Sequence, residues 1–366
     1  MASAAFRPDW FSKPGDTLAS LMAGQALDAA GLAERIGKEQ SMVHGLLAGT
    51  MEIDDEIATL LAERVGGSSS FWHARQRQFD EALHRVAETV PADIAKSWLR
   101  VLPLREMADA GWIPHAKGSS AVRAALAYFD IVSPEEWYQR YTLFANKFSF
   151  RTSPTYASKL GALAAWLRQG EIQATSIRCA PWNAKQLRTN LDAIRKLTKL
   201  KNPAAFVPRL RACCADAGVA VVFVRAPTGC RASGATRFLS RHKAMIILSF
   251  RHLSDDHFWF TFFHEVAHLL LHSQDATFID GGAAVRTDAE IEANTLSAGV
   301  LIPRDQLDRL SAVRPRAKDI VRFAVSTGIA PGIVVGQMQH HGLLGPAQLN
   351  SLKRRYTWEQ VQAALS

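Results

Sequence analysis

The stretch 258–272, FWFTFFHEVAHLLLH, sets three histidines and a glutamate into a run that is otherwise almost entirely apolar. Its length and apolarity predict a core helix. On a helix His264 and His268, four residues apart, lie one above the other, so both imidazoles reach a single metal ion. Glu265 sits one step round and faces a metal-bound water instead of the metal. This is the H-E-x-x-H pattern, in which zinc lowers the pKa of its water and the glutamate accepts the proton as that water attacks a carbonyl. A lone histidine on an apolar helix is usually a satisfied core residue. Three ionisable groups at this spacing are not, because leaving them unpaired in a dry site costs several kcal/mol, whereas one metal ion answers them together.

A third protein ligand is required, and residues 288–303, DAEIEANTLSAGVLIP, offer it. They read as a helix entering the core through Ala293, Leu296 and Val300. A glutamate from such a second helix completes the site in zinc hydrolases of the glutamate-ligand type, and the residue four positions on can hold a ligand histidine from behind. Glu290 with Asn294 fits that spacing, and Glu292 is the rival. His272 reads as a supporting or capping histidine, with a ligand role as its alternative.

The 366 residues, 48% of them hydrophobic, suit two or three globular domains. Cys179, Cys213, Cys214 and Cys230 show no C-x-x-C spacing, which reads as reduced thiols, neither a disulfide framework nor a thiolate zinc site. The N-terminal MASAAFRPDWFSKPGD lacks the apolar core of a secretory leader, and no uncharged apolar stretch has membrane-spanning length. The expectation is a cytoplasmic protein with no membrane partner.

The fold class expected is α+β and mainly helical, in four segments. Residues 1–70 read as a helix-turn-helix bundle, with helices Asp16 to Leu27, Asp28 to Ile36, Glu39 to Leu47 and Asp54 to Val65 punctuated by Gly37 and Gly49. Ala33 is small where two helices cross. Gly66-Gly67 and the serines after them read as a hinge. Residues 71–205 read as a helical, basic connecting domain rich in tryptophan. Residues 206–310 read as the metal-site domain, with a small antiparallel sheet made of GVAVVFVRAP (218–227) and KAMIILSF (243–250), joined by the turn segment CRASGATRFLSR. Residues 311–366 return to helices.

The formal charge is +9. Residues 1–85 carry a net −4, so the excess lies downstream. Lys185, Arg188, Arg195, Lys196, Lys199 and Lys201 form a basic run that is either a solvated helix face or a patch for duplex or single-stranded nucleic acid. In the second helix of the N-terminal pair, base-reading or phosphate-binding groups are confined to Gln40, Ser41 and His44, with Lys38 in the turn before it. With acidic surroundings, these predict weak or absent duplex binding and leave dimerisation or partner sensing as the domain's task.

FWFTFFHEVAHLLLH followed by AEIEANTLSAGVLIP resembles the ImmA/IrrE family of zincin-like metallopeptidases, whose second helix has the form E-x-E-A-N-x-F-A-x-x-L-L-x-P. Leu296 and Ser297 stand where Phe and Ala are usual. Residues PGDTLASLM through FWHARQRQFDEAL are similar to the XRE/HigA-type helix-turn-helix of antitoxins and repressors. The resemblance implies Zn2+, with His264, His268 and Glu290 as ligands and Glu265 as general base. It also implies an intracellular protein substrate, a repressor or antitoxin cut in response to stress or mobile elements. Strand KAMIILSF is expected to bind substrate backbone by strand addition. The competing reading is a DNA-binding regulator, a homodimer for instance, whose zinc is structural or vestigial; Glu265, which only catalysis requires, separates the two.

Overall fold

The computed structural model describes residues 12–145, 154–274, 277–280 and 287–365. Residues 1–11, which include most of the stretch read above for a leader, lie outside them. The protein is mainly helical with one small sheet, and close contacts group it into two compact units. The first runs to Leu143 and includes the long helix ending near Ile177; the second runs from Arg178 to the C-terminus.

In the first unit, α1 (Pro14–Gly24), α2 (Ala29–Ile36), α3 (Gln40–Ala48) and α4 (Asp55–Arg64) follow the sequence punctuation closely. The Asp28 carboxylate accepts from the Gly31 N–H at 2.8 Å and Asp54 from the Ile57 N–H at 2.8 Å, capping α2 and α4. Gly37 and Gly49 end α2 and α3 in the left-handed conformation that other residues enter at a cost. Next come α5 (Ser69–Thr89), α6 (Ala92–Val101), α7 (Leu104–Asp109), α8 (Ser119–Phe129), α9 (Pro134–Ala145) and α10 (Pro154–Ser176). The expected hinge at 66–70 is a tight turn inside one body: Trp72 is fully buried with Leu18, Leu32, Val43 and Leu61, and its indole N–H donates to the Gly66 carbonyl at 3.0 Å. The 70/71 boundary therefore does not separate two packed bodies. Two tryptophans of the middle stretch, Trp98 and Trp137, pack with Phe129 and Tyr141, the rings meeting edge to face or tilted.

The second unit begins with α11 (Ala184–Leu197) and α12 (Pro203–Ala215), capped by Asn183 and Asn202. The sheet follows: β1 (Val219–Phe223), β2 (Gly234–Ser240) and β3 (Lys243–Leu248). Beyond it lie α13 (Asp255–Leu271), β4 (Phe278–Asp280), α14 (Asp288–Leu301), α15 (Arg304–Ser311), α16 (Ala317–Thr327), α17 (Pro331–His340) and α18 (Trp358–Gln362). The boundaries at 205/206 and 310/311 vanish for the same reason as the first. Leu187 and Phe206 from α11 and α12, the strand residues Val221 and Ile246, and Ile333 and Val334 from α17 share one core around Trp259, Phe262 and Val266. No single described helix is long and apolar enough to cross a membrane.

The sheet corrects three expectations. Its order is β1-β3-β2-β4, and it is mixed: β1 runs parallel to β3, while β2 is antiparallel to both β3 and β4. Most of the expected turn segment, Gly234–Ser240, is strand β2, disguised because Gly234, Thr236 and Arg237 break the apolar pattern. The buried Thr236 hydroxyl is satisfied by donating to the Met245 carbonyl at 2.8 Å. β3, the strand expected to receive substrate backbone, is paired on both sides and has no free edge. The edges of this sheet are β1 and β4.

The C-terminal segment ties down the start of α13. Asp255, fully buried, accepts from the backbone N–H groups of Asp256 and Arg354 at 2.9 and 3.1 Å, and its own N–H donates to the Arg354 carbonyl. Burial, reinforced by the neighbouring Asp256, pushes the Asp255 carboxyl up from 3.8 to about 6. Asp256 is also buried, but its bonds to Lys353 and Ser254 outweigh that and hold it below the usual range. Because the folded state holds the Asp255 proton more tightly than the unfolded chain, its contribution is fully present below pH 3.8 and is lost as pH rises through about 6. Between pH 4 and 7.5 the Asp255→Asn variant should therefore gain about 3 kcal/mol relative to wild type in urea unfolding. A difference that does not change with pH would show that Asp255 ionises normally.

Candidate active site

α13 starts after Ser254 and runs along α14, with α17, β2 and β3 on its other sides. Its residues 261–269 are all buried, so the ionisable groups lie where the fold supplies little water. α14 approaches closely because its inward face carries small residues. Ala293, Ser297 and Leu301 are the buried positions, one step off the 293/296/300 face expected, and Leu296 is only half-buried. Ser297, where the resembling family has Ala, donates its hydroxyl to the Phe260 carbonyl at 3.0 Å, so this departure is accommodated at the helix contact.

Thr287 caps α14 by accepting from the Glu290 N–H at 3.3 Å, which places Glu290 in the first turn facing α13. Its two carboxylate oxygens lie 3.2 Å from His264 Nε2 and 3.5 Å from His268 Nε2, and the two Nε2 atoms are 2.9 Å apart. Burial pushes the Glu290 carboxyl up, but the hydrogen bond from His264 and the three nearby imidazoles outweigh it and leave it below 4.5. Tetrahedral zinc with bonds of 2.0–2.1 Å separates its donor atoms by about 3.3 Å, so this donor set fits the ion.

The other nitrogens of the two histidines are occupied from behind. His264 Nδ1–H donates to Asn294 Oδ1 at 3.0 Å. On the second histidine, Nδ1–H donates to His272 Nδ1 at 3.1 Å, and His272 Nε2–H donates to Glu292 Oε2 at 3.2 Å. With a metal bound, both chains would hold the proton on Nδ1 and free Nε2 for the ion. The structure thus brings Glu290 to both imidazoles and sends Glu292 to His272. Removing His272 should weaken zinc binding by about 10–100-fold, and removing Glu292, whose side chain is 61% exposed, by about tenfold at most. Competition against a fluorescent zinc chelator checks both, and affinities equal to wild type would mean the chain behind His268 is idle.

Glu265 is fully buried. It occupies the gap between α13 and the first residue of β2, where a Cβ built on Gly234 would stand 2.7 Å from both Glu265 Oε1 and Thr261 Cγ2. Gly234 and Phe278, whose ring stacks on His268 at 4.2 Å, were missed in the sequence. A glycine opening a strand was the signal for the first, since it often marks a close approach. Nothing local marks Phe278, which reaches the site only because β4 pairs with β2.

The candidate nucleic-acid residues are placed differently. α3 packs against α1, α2 and α10, and Ser41 is its one exposed residue. Lys38 pairs with Glu56, Ser41 donates to Glu39, and His44 Nε2 lies 3.2 Å from the Ser176 hydroxyl of α10; Gln40 is half-buried. A helix that reads a groove needs a row of exposed polar side chains. Of the basic run, Arg188 donates to the Leu270 carbonyl at the end of α13 and Arg195 to the Thr327 carbonyl at the end of α16, both favourable at helix C-termini. Lys196 pairs with Asp192, while Lys185, Lys199 and Lys201 are exposed.

Two imidazoles and a carboxylate converging on one point, with a buried glutamate beside them, define the class of candidate site: a His-His-Glu metal centre. Residues 214–330, from the end of α12 to the start of α17, match the peptidase family described as the IrrE N-terminal-like domain, Peptidase M78. No curated protein matches the chain.

Proposed function

We propose that the chain is a zinc-dependent endopeptidase that cuts an intracellular protein, a transcriptional repressor or an antitoxin, in a stress or mobile-element response. The observation that carries this reading is Glu265, a carboxylate buried beside the His264, His268 and Glu290 cluster yet not needed to complete it. A purely structural centre has no use for such a group.

His264, His268 and Glu290 would hold the metal, with Asn294 and His272 fixing the rings. Bound zinc would supply Lewis acidity and make an adjacent water acidic enough to react near neutral pH. Glu265 would take the proton from that water and return it to the departing amine. Being enclosed by Gly234 and Thr261, it has little freedom to turn away.

The competing reading, a DNA-binding regulator with a structural metal, is disfavoured by α3, which shows one polar residue to solvent. The direct test incubates the zinc-loaded chain with the repressor or antitoxin encoded beside its gene. A discrete cut, abolished by a chelator and restored by zinc, is expected. A zinc-loaded protein that leaves these candidates intact would favour the structural metal.

A further inference from the structure

The two imidazoles of the cluster are not held alike. His264 is bonded to Asn294, a residue inside α14. His268 is bonded to His272, which caps the end of α13, and the carboxylate that holds His272 in turn, that of Glu292, is mostly exposed. A histidine ring turns about its Cβ–Cγ bond in a broad, roughly two-fold well, so a single bond to a capping residue leaves its plane poorly fixed. A metal ligand needs that plane, because its lone pair must point at the ion.

Phe278 supplies a second restraint. Its ring lies face to face with that of His268, the centroids 4.2 Å apart and the planes within 11°, and it is tilted by 37° over His272 at 5.0 Å. One phenyl ring therefore covers both members of the hydrogen-bonded pair, and His268 cannot turn without driving an edge into it. Phe260, by contrast, stands 6.4 Å from His264 at 31° and is not stacked on it. The backbone of Phe278 is set by the sheet, where Phe278 pairs with Thr236 and Asp280 with Gly234. Positions two apart on a strand share a face, so Phe278 lies on the side of the sheet from which Gly234 meets Glu265. Ile279, between them, is buried on the opposite face.

We propose that Phe278 is a positioning residue of the metal centre: stacked on His268 and His272, it fixes the ring plane of the second histidine ligand and so sets how tightly and in what geometry the ion is held. The proposal rests on the zinc reading of the site and adds strand β4 to it.

The test measures, on the full chain, zinc affinity by competition with a fluorescent chelator and the visible absorption of the cobalt-substituted protein, whose bands follow ligand geometry. Phe278→Leu keeps an apolar side chain but removes the flat face; zinc is expected to bind about tenfold more weakly, the low end for a group that supports a ligand, with altered cobalt bands. Phe278→Tyr restores the face and should restore both readings. Ile279→Val trims the neighbouring side chain on the other face of β4 and should change neither. Circular dichroism checks folding, and Phe278→Met takes the place of Phe278→Leu if the latter does not fold. Wild-type zinc affinity in Phe278→Leu overturns the proposal. An equal loss in Phe278→Tyr, which would make the stacked face irrelevant, or in Ile279→Val, which would reduce the effect to packing of the strand, overturns it too. None of these readings needs a substrate: a clamp supported in this way, with no cleavage by the zinc-loaded wild type, would stand while the peptidase reading falls.

Discussion

Replacing Glu265 by Gln is expected to leave one zinc per chain and to lower cleavage by about 10²–10⁴-fold, the range set by loss of a general base. The amide has the size of the carboxylate and fits the same enclosed space between Gly234 and Thr261, so the ligand set is undisturbed. What it lacks is the capacity to accept a proton. Metal content by mass spectrometry and initial cleavage rates measured on one preparation check both halves. A companion change tests the geometry: Gly234→Ala puts a methyl group 2.7 Å from Glu265 Oε1, forcing the carboxylate to shift, and should depress activity with zinc retained. Full activity in Glu265→Gln would remove the carboxylate from the mechanism.

His264→Ala, His268→Ala and Glu290→Ala each take away one of three protein donors, and each should emerge from dialysis with little or no zinc. Glu292→Ala should keep it, because that carboxylate touches the metal site only through His272. The contrast is large, since losing a ligand exceeds the 10–100-fold typical of a supporting residue. Zinc retained in Glu290→Ala but lost in Glu292→Ala would exchange their roles. Circular dichroism on the variants separates loss of the ion from loss of the fold.

The site and the fold were legible to different depths. His264, Glu265 and His268 were readable because an α-helix converts a spacing of four into a shared face, a rule that needs no tertiary information. α2, α3 and α4 were readable for the same local reason: they start at or beside Asp28, Glu39 and Asp54, the first and last of which cap α2 and α4, and Gly37 and Gly49 end α2 and α3. Between Glu290 and Glu292, spacing could only rank the candidates. The choice depends on how α14 lies against α13, which Ala293 and Ser297 determine by their small size.

Sequence by itself thus determined the first four helices with the glycines that end two of them, the helix of the opening stretch, and the two histidines with their glutamate, because each follows from contacts within a few residues along the chain. Tertiary structure alone decided the mixed order of the sheet, the enclosure of Glu265 by Gly234, the stacking of Phe278 on His268 and the covering of α3 by α10. The physical reason is that strand pairing and helix packing join residues far apart in sequence, where burial over a whole core outweighs local propensity. Gly234 shows the difference in one residue: locally it weakens a strand, and in the folded protein it makes room for the carboxylate on which the proposed chemistry depends.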